Sequence, residues 1–537
     1  MGCLMKKIST SISTFKNLIE AGYLYVDKTK YIYDMVKEPF GQFLFSRPRR
    51  FGKSLTVSTL EAVFSGDKEL FKGFYIYDMD YTWDVFPIIH IDFGKSDSST
   101  VANLEEWLKL EMTGIADRNE VKISGSSPAL MFGELIKALN NKYQKGVVIL
   151  IDEYDRPITN NIEDGKGVKK IRQVMEAFYQ MIKGYESVER FVFITGITKL
   201  SQESVFSKLN NLIDISRSKN FADAVGYTQD ELDAYFQEYI EIGAAKNNMT
   251  YGDLKQKLAL WYDGFRFTFD GNKVYNPVSI GRFFNEDYEF RNYWYATATP
   301  VMLVNQARKQ NITVESIENA VMTDISYNSF DIMQLTNDNV DAQSLIQLLY
   351  QTGYLTIGER EEKNNIPTYK LVYPNKEVRD SFETDLASVY MKKAVGEISN
   401  FTNLLQNAAY EGNIERMVEI IKGIFAGVPY DIQLNYEKYY QSLLYLTFRM
   451  CGMNIIAENT TNVGRIDAEL ISGQYIYVIE CKIDKTAREA LEQIEKKKYC
   501  EKNLLKKEEG YKIYKIGMNF STDKDKRNID DYLYVEA

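Results

Sequence analysis

The sequence contains a single histidine, His90, in 537 residues. That excludes a histidine-rich zinc site and weighs against serine–histidine or cysteine–histidine catalysis. His90 falls in Pro87-Ile88-Ile89-His90-Ile91-Asp92-Phe93, a strand-like run in which it reads as an ordinary strand residue. Cysteine is scarce as well. Cys3, Cys451, Cys481 and Cys500 form no C-x-x-C pair, and so few in so long a chain read as reduced thiols of a cytoplasmic protein. No apolar run reaches the ~18 residues of a membrane span, so no membrane partner is expected. The opening Met1-Gly2-Cys3-Leu4-Met5-Lys6-Lys7 lacks the apolar core of a secretion signal, and Lys6 stands where myristoylation requires Ser or Thr. Positive charge is not in excess: 65 Lys and Arg face 75 Asp and Glu, a net charge of −10. A nucleic-acid partner therefore has to be held by a local basic surface. Chemistry is left to carboxylates, lysines and a hard metal ion.

What is present begins with composition. Hydrophobic residues make up 45% and charged residues 26%, the balance of a folded globular chain. The length allows three or four domains of ~150 residues each.

The stretch that organises the first half is Phe43-Leu44-Phe45-Ser46-Arg47-Pro48-Arg49-Arg50-Phe51-Gly52-Lys53-Ser54. A short apolar run, a turn, then Gly-Lys-Ser opening a helical pattern is the layout of a phosphate-binding loop. Backbone N–H groups at a helix start point at anionic oxygens. On this reading Arg50, Phe51 and Gly52 form the nucleotide-binding turn. Lys53 reaches the β- and γ-phosphates of ATP, and Ser54 sits on Mg²⁺. Arg47 occupies the position of the first glycine of the usual pattern. A basic surface turn before a helix would leave the same trace.

Residues 14–37 read as helix, extended piece, helix, with Thr29 a candidate cap. The segment either covers the nucleotide base or packs on the sheet edge. Strands are expected at about 41–46 and 86–93, helices at about 53–65, 101–116 and 128–144. Val147-Val148-Ile149-Leu150-Ile151 has no polar face, which suits a central parallel strand buried on both sides. Asp152 and Glu153 end it, where an open α/β sheet binds its ligand. Asp152 is the candidate Mg²⁺ holder and Glu153 the candidate catalytic group that polarises water. A further strand, residues 190–196, brings Thr195 beside the acidic strand, either sensing the γ-phosphate or bonding to backbone. Residues 207–215 read as a turn and a fifth strand. Strands alternating with helices predict a doubly wound parallel sheet.

Together, residues 47–54, Ile151-Asp152-Glu153-Tyr154-Asp155, Thr195-Gly196-Ile197-Thr198-Lys199 and Phe206-Ser207-Lys208-Leu209-Asn210-Asn211-Leu212 resemble the AAA-ATPase-like family of bacteria. The resemblance continues through Gly226-Tyr227-Thr228 and Trp261-Tyr262-Asp263-Gly264-Phe265-Arg266-Phe267 to Tyr275-Asn276-Pro277. It implies an N-terminal P-loop NTPase domain over residues 1–225 with a helical lid over 226–285. It also implies that Arg47 is a family feature. Arg266 is either a reader of phosphate charge or a salt-bridge residue. Residues 286–425 read as a helical, winged-helix-like connector, with strands at 355–357 and 369–372 around a charged loop. The acid-rich Glu359-Arg360-Glu361-Glu362-Lys363 there argues for a mechanical relay and against phosphate contact.

The last part, residues 426–537, reads as helix 434–451, strands near 453–457, 465–471 and 475–482, helix 486–503 and strand 511–519. On two paired strands Asp467 and Glu480 lie side by side, and Glu480 and Lys482 share one face. Neighbouring carboxylates repel and recruit a divalent cation, with oxygen ligands favouring Mg²⁺ or Mn²⁺. A cross-strand charge cluster on a solvated face is the plain alternative. With Ala490-Leu491-Glu492-Gln493-Ile494 on the following helix, these residues resemble the PD-(D/E)XK nuclease superfamily. The resemblance implies an α/β restriction-endonuclease-like fold. It makes Asp467, Glu480 and Lys482 catalytic, with Asp467 and Glu480 holding metal. Gln493 and Tyr499 become accessory residues and Glu437 an added ligand. Ile466 replaces the proline of the name. Lys496-Lys497-Lys498 and Lys506-Lys507 either grip phosphates or form a solvated face with the intervening glutamates.

The combined expectation is a cytoplasmic, ATP-binding hydrolase coupled to a Mg²⁺-dependent DNA nuclease, with ATP and DNA as partners. A homo-oligomer is compatible with it, and the family resemblance implies a mobile-element or genome-defence setting. The competing expectation is a nucleotide-dependent switch or scaffold whose nuclease-like domain binds nucleic acid or protein without cleaving.

Overall fold

The computed structural model describes residues 5–162, 164–199, 211–295, 301–309, 317, 320–323, 342–363, 366–391, 393–426, 443, 446–447, 449–450, 454–455, 466–497, 500, 503–521, 523 and 528–537. The chain divides into two compact units, Met1–Ala298 with Ala320–Val378, and Thr299–Asn319 with Arg379–Ala537. Among the described residues no helix is long and apolar enough to cross a membrane.

The first unit opens with α1 (Phe15–Glu20) and α2 (Thr29–Val36), then β1 (Gln42–Ser46) and α3 (Lys53–Phe64). After β2 (Ile88–Asp92) come α4 (Val101–Arg118), α5 (Pro128–Tyr143) and β3 (Val147–Asp152). The turn α6 (Arg156–Thr159), α7 (Gly165–Gly184), β4 (Glu189–Gly196) and β5 (Ile213–Asp214) complete the α/β part. The sheet is parallel, in the order β2-β3-β4-β1-β5. Every residue of β3 is buried, as its unbroken apolar run predicts. Because β4 lies between β1 and β3, the loop after β1 and the acids after β3 flank the end of β4. Asp92 pairs with Asp152, Ile151 with Ile194 and Ser46 with Gly196, so the carboxyl ends of these four strands lie nearly level.

One helix, α7, is absent from the sequence expectations above. Asp164 caps it by accepting from the Lys166 and Gly167 amides, and Val168, Ile171, Met175, Phe178 and Ile182 form its buried stripe.

The region expected as a helical lid contains α8 (Gln229–Lys246), α9 (Tyr251–Tyr262) and α10 (Pro277–Asn285). A capping box, Thr228 with Glu231, starts α8. The three helices share an apolar core that also takes in Ile8 and Val26. After the lid, β6 (Val321–Thr323), α12 (Ala342–Thr352), β7 (Thr356–Lys363) and β8 (Ile366–Val372) give a helix and a three-stranded antiparallel sheet, order β6-β8-β7. The charged run expected as a loop is strand throughout. Glu359 stands opposite Lys370 and Glu361 opposite Thr368, so pairing with β8 carries the strand to its tip.

The second unit contains α11 (Val301–Lys309), most of α13 (Lys376–Met391), α14 (Val395–Glu411) and α15 (Ile414–Ala426); the sequence pattern reads α13 as a helix near residues 376–390 and gives no helix limits for the other three. Its sheet comprises β9 (Asn454–Ile455), β10 (Ile466–Ser472), β11 (Tyr475–Ile483), β12 (Lys512–Phe520) and β13 (Ile529–Glu536), in the order β13-β12-β11-β10-β9. Only β11 and β12 run parallel. They are joined through α16 (Ala487–Lys496), which a Thr486–Glu489 capping box starts. Gly517 lets α16 lie close on the sheet, since a Cβ there would sit 2.3 Å from the Ala487 carbonyl oxygen. On the opposite face Tyr477 donates to the Ala409 carbonyl of α14 at 2.6 Å.

Candidate functional site

In the first unit the loop after β1 has a left-handed residue at Arg50 (φ 65°) and another at Gly52 (φ 100°). The second is a backbone conformation that glycine adopts without strain. It turns the chain directly into α3, whose first residues are Lys53 and Ser54. Lys53 is 7% exposed and its Nζ donates to the carbonyls of Arg47 and Pro48, both at 2.9 Å. Burial pulls the Lys53 ammonium below the usual lysine range, opposed by the charges of Asp152, Asp155 and Glu153. Asp152 is 3% exposed; burial raises its carboxyl, against a hydrogen bond from the Ser54 side chain and the charge of Lys53. Ser54 and Asp152, expected to share one cation, are therefore neighbours.

A cavity of about 530 Å³ opens over this loop. Arg49, Arg50, Phe51, Gly52, Lys53 and Ser54 line its floor, and Glu153, Asp155 and Arg156 line one side. The remaining wall includes residues 9–13, Tyr31, Phe221, Gly226, Tyr227 and Val278. Asp152 is reached through Ser54 and does not line the cavity. Thr195 does not line it either. It is fully buried and its Oγ1 donates to the Phe45 carbonyl at 2.6 Å, the backbone-bonded of its two expected arrangements. Arg266 stands away from the lining as well, with its guanidinium over the Phe269 ring and its amide donating to Thr356.

Arg47 explains its own presence. It is 1% exposed and its guanidinium donates to the carbonyls of Ser46, Ser216 and Phe221. The same group lies 4.4 Å from the Phe45 ring centre and 4.2 Å from that of Phe267. Burial pulls it down to about 9. Asp155, at the end of the Ile151–Asp155 stretch, ties two strands together. It is buried and accepts from the Ile197 amide, the Thr198 amide and the Thr198 hydroxyl, locking the end of β3 to the end of β4. Trp294 is buried, and its indole Nε1 donates to the Arg49 carbonyl at 2.9 Å.

In the second unit a two-residue turn, Gly473-Gln474, sets the β10–β11 register, with Ser472 opposite Tyr475 and Asp467 opposite Glu480. Glu480 is fully buried, and its Oε1 accepts from Lys482 Nζ at 2.6 Å. Lys482 also donates to Gln493 Oε1 of α16 at 2.5 Å. Among the described residues Glu480 Oε2 has no hydrogen-bond partner, nor has Gln493 Nε2. A buried, unpartnered carboxylate oxygen is costly unless something positive or protic meets it. Opposite a second acid position, that donor set fits a hard divalent cation. Among the described residues no three Asp, Glu, His or Cys side chains gather for a metal. The candidate ligands are Asp467 and Glu480. The Asp467 side chain, Glu437, Tyr499, Lys498 and residues 206–210 lie outside the described residues.

A family model described as "Predicted AAA-ATPase" matches residues 9–206, and one described as "PD-(D/E)XK nuclease superfamily" matches residues 435–531. An "Uncharacterized protein in vnfD 5'region" from Azotobacter chroococcum mcd 1 is 31% identical over 529 residues, spanning 96% of this chain and 97% of that relative. Strands β1 to β4 with the Gly-Lys-Ser loop, and the β10–β11 hairpin with its Glu–Lys pair, fall inside the two matched regions. The chain belongs to the AAA-ATPase-like family and carries a PD-(D/E)XK nuclease superfamily domain at residues 435–531.

Proposed function

We propose that this protein binds and hydrolyses ATP in the cavity of its first unit and cleaves DNA at Asp467, Glu480 and Lys482 in its second. Lys53 holds the β- and γ-phosphates, Ser54 and Asp152 hold Mg²⁺, and Glu153 orients the attacking water. At the other centre Asp467 and Glu480 hold the cation. Lys482 orients the attacking water and offsets charge that builds on the phosphodiester. A bound divalent cation supplies charge neutralisation and a more acidic water at each centre. The observation that carries the nuclease reading is Glu480, buried, paired on one oxygen with Lys482 and unpartnered on the other.

The test is Mg²⁺-dependent cleavage of DNA by the full chain, with and without ATP. Glu480→Ala and Lys482→Ala each abolish it. Cleavage surviving in both overturns the assignment, and DNA binding without any cleavage points to a switch or scaffold. For the ATPase, Lys53→Ala weakens ATP binding and Glu153→Gln retains bound ATP without turnover.

A further inference from the structure

Glu153 is held in an unusual way. Its backbone is left-handed, at φ 52°, a conformation that costs a non-glycine residue about 1 kcal/mol or more. Three contacts fix the turn around it. The Glu153 amide donates to Asp152 Oδ1 at 2.9 Å, the Tyr154 amide to the Thr195 carbonyl at 3.1 Å, and the Arg156 amide to the Glu153 carbonyl at 3.0 Å. Asp155, locked onto Thr198, anchors the same turn from below. The side chain of Glu153 has one restraint of its own. Arg156 Nη1 donates to its Oε2 at 2.5 Å.

That ion pair does little for folding. Its side chains are 41% and 32% exposed, so solvent screens the attraction. Its effect is directional. A glutamate has three side-chain torsions, and a guanidinium three residues along the same turn removes most of that freedom. The neighbouring backbone leaves room for it. A Cβ on Gly94, just past the end of β2, would lie 2.7 Å from Asp92 Oδ1, 3.1 Å from Glu153 Oε2 and 3.4 Å from Arg156 Nη1. Both side chains line the cavity that Lys53 and Ser54 floor.

We propose that Arg156 is the positioning residue of the ATPase centre: it aims the Glu153 carboxylate and does not bind the phosphates. The inference rests on Glu153 as the water-orienting group. A group that must sit within a few tenths of an ångström of its water loses rate steeply when it is free to swing, and binding of the substrate is left alone.

The test is steady-state ATP turnover by the full chain, with melting curves to confirm folding. Arg156→Gln lowers kcat about ten-fold or more and leaves KM within about two-fold. Arg156→Lys, which keeps a charged donor, recovers most of the loss. In the double variant Arg156→Gln with Glu153→Gln, turnover is no lower than in Glu153→Gln alone, because Arg156 acts only through Glu153. A purely structural role would add its own loss. Arg156→Met, which keeps most of the side chain's bulk and removes its donors, gives the same kcat loss and serves if Arg156→Gln fails to fold. If Arg156→Gln leaves kcat within about two-fold while Glu153→Gln stops turnover, the proposal falls and the role of Glu153 stands. If KM rises by the factor that kcat falls, Arg156 is a phosphate ligand and the proposal is overturned. Turnover that survives Glu153→Gln removes the premise itself.

Discussion

The indole of Trp294 donates a hydrogen bond to the carbonyl of Arg49, joining the phosphate loop to a segment 245 residues further along the chain. The Trp294 amide in turn donates to Glu377 Oε1 at 2.5 Å, and Glu377 accepts from Ser279 of α10 at 2.8 Å. The loop is thus wired to the lid through one tryptophan and one buried acid. Trp294→Phe keeps an aromatic ring against Phe265 and Tyr354 and removes the indole donor. A hydrogen bond of this kind contributes about 1 kcal/mol, so the Kd for ATP rises about five-fold. Calorimetric titration of the variant with a non-hydrolysable ATP analogue checks this, and an unchanged Kd counts against the link.

Arg47 occupies the place where most phosphate loops have glycine, and restoring that glycine is expected to harm the protein. Arg47→Gly deletes a buried guanidinium, strands the carbonyls of Ser216 and Phe221, and empties the space between the Phe45 and Phe267 rings. Losses of this class amount to about 3 kcal/mol. Urea denaturation of the two proteins measures the difference, and a stability equal to that of the unaltered chain would contradict the role given to Arg47.

Two buried acids of the first unit set a pH dependence. Burial raises Glu189 from 4.5 to about 8, although Gln42 donates to it at 2.7 Å, and raises Glu377 from 4.5 to about 7. Between those limits the folded protein keeps a proton that the unfolded chain has released. Each group's contribution is therefore whole below about pH 4.5 and declines as pH climbs to the folded value, then stays level. Glu189→Gln and Glu377→Gln carry no such proton. Their stability relative to the unaltered chain improves from pH 4.5 upward, levelling near 8 and near 7 respectively. Thermal melts across that range read the trend, and a relative stability that worsens with pH would reverse the sign.

The parts of the fold most open to reading from the sequence were those whose signal is local. The five apolar residues before Asp152 need no partner to announce a strand buried on both faces. Gly473 marks the turn that brings Asp467 opposite Glu480. The parts that escaped depend on distant partners. The Asp164-Gly165-Lys166-Gly167 start of α7 looks like a loop, and the helix shows only in the spacing of Val168, Ile171 and Met175. β13, with its Tyr532-Leu533-Tyr534-Val535 run, is largely exposed and has no alternation to read. No local pattern foretells that Arg47 is buried, because two of its three acceptors lie about 170 residues away. The Glu153–Arg156 pair is three residues apart and was available to inspection, but only the left-handed turn brings the two side chains together.

The cavity over Lys53 has walls drawn from Ser9 at one extreme and Val278 at the other. During synthesis the Gly-Lys-Ser loop leaves the ribosome long before the chain that encloses it. A nascent polypeptide stopped short of Val278 would own Lys53 and Ser54 without the complete chamber that encloses them.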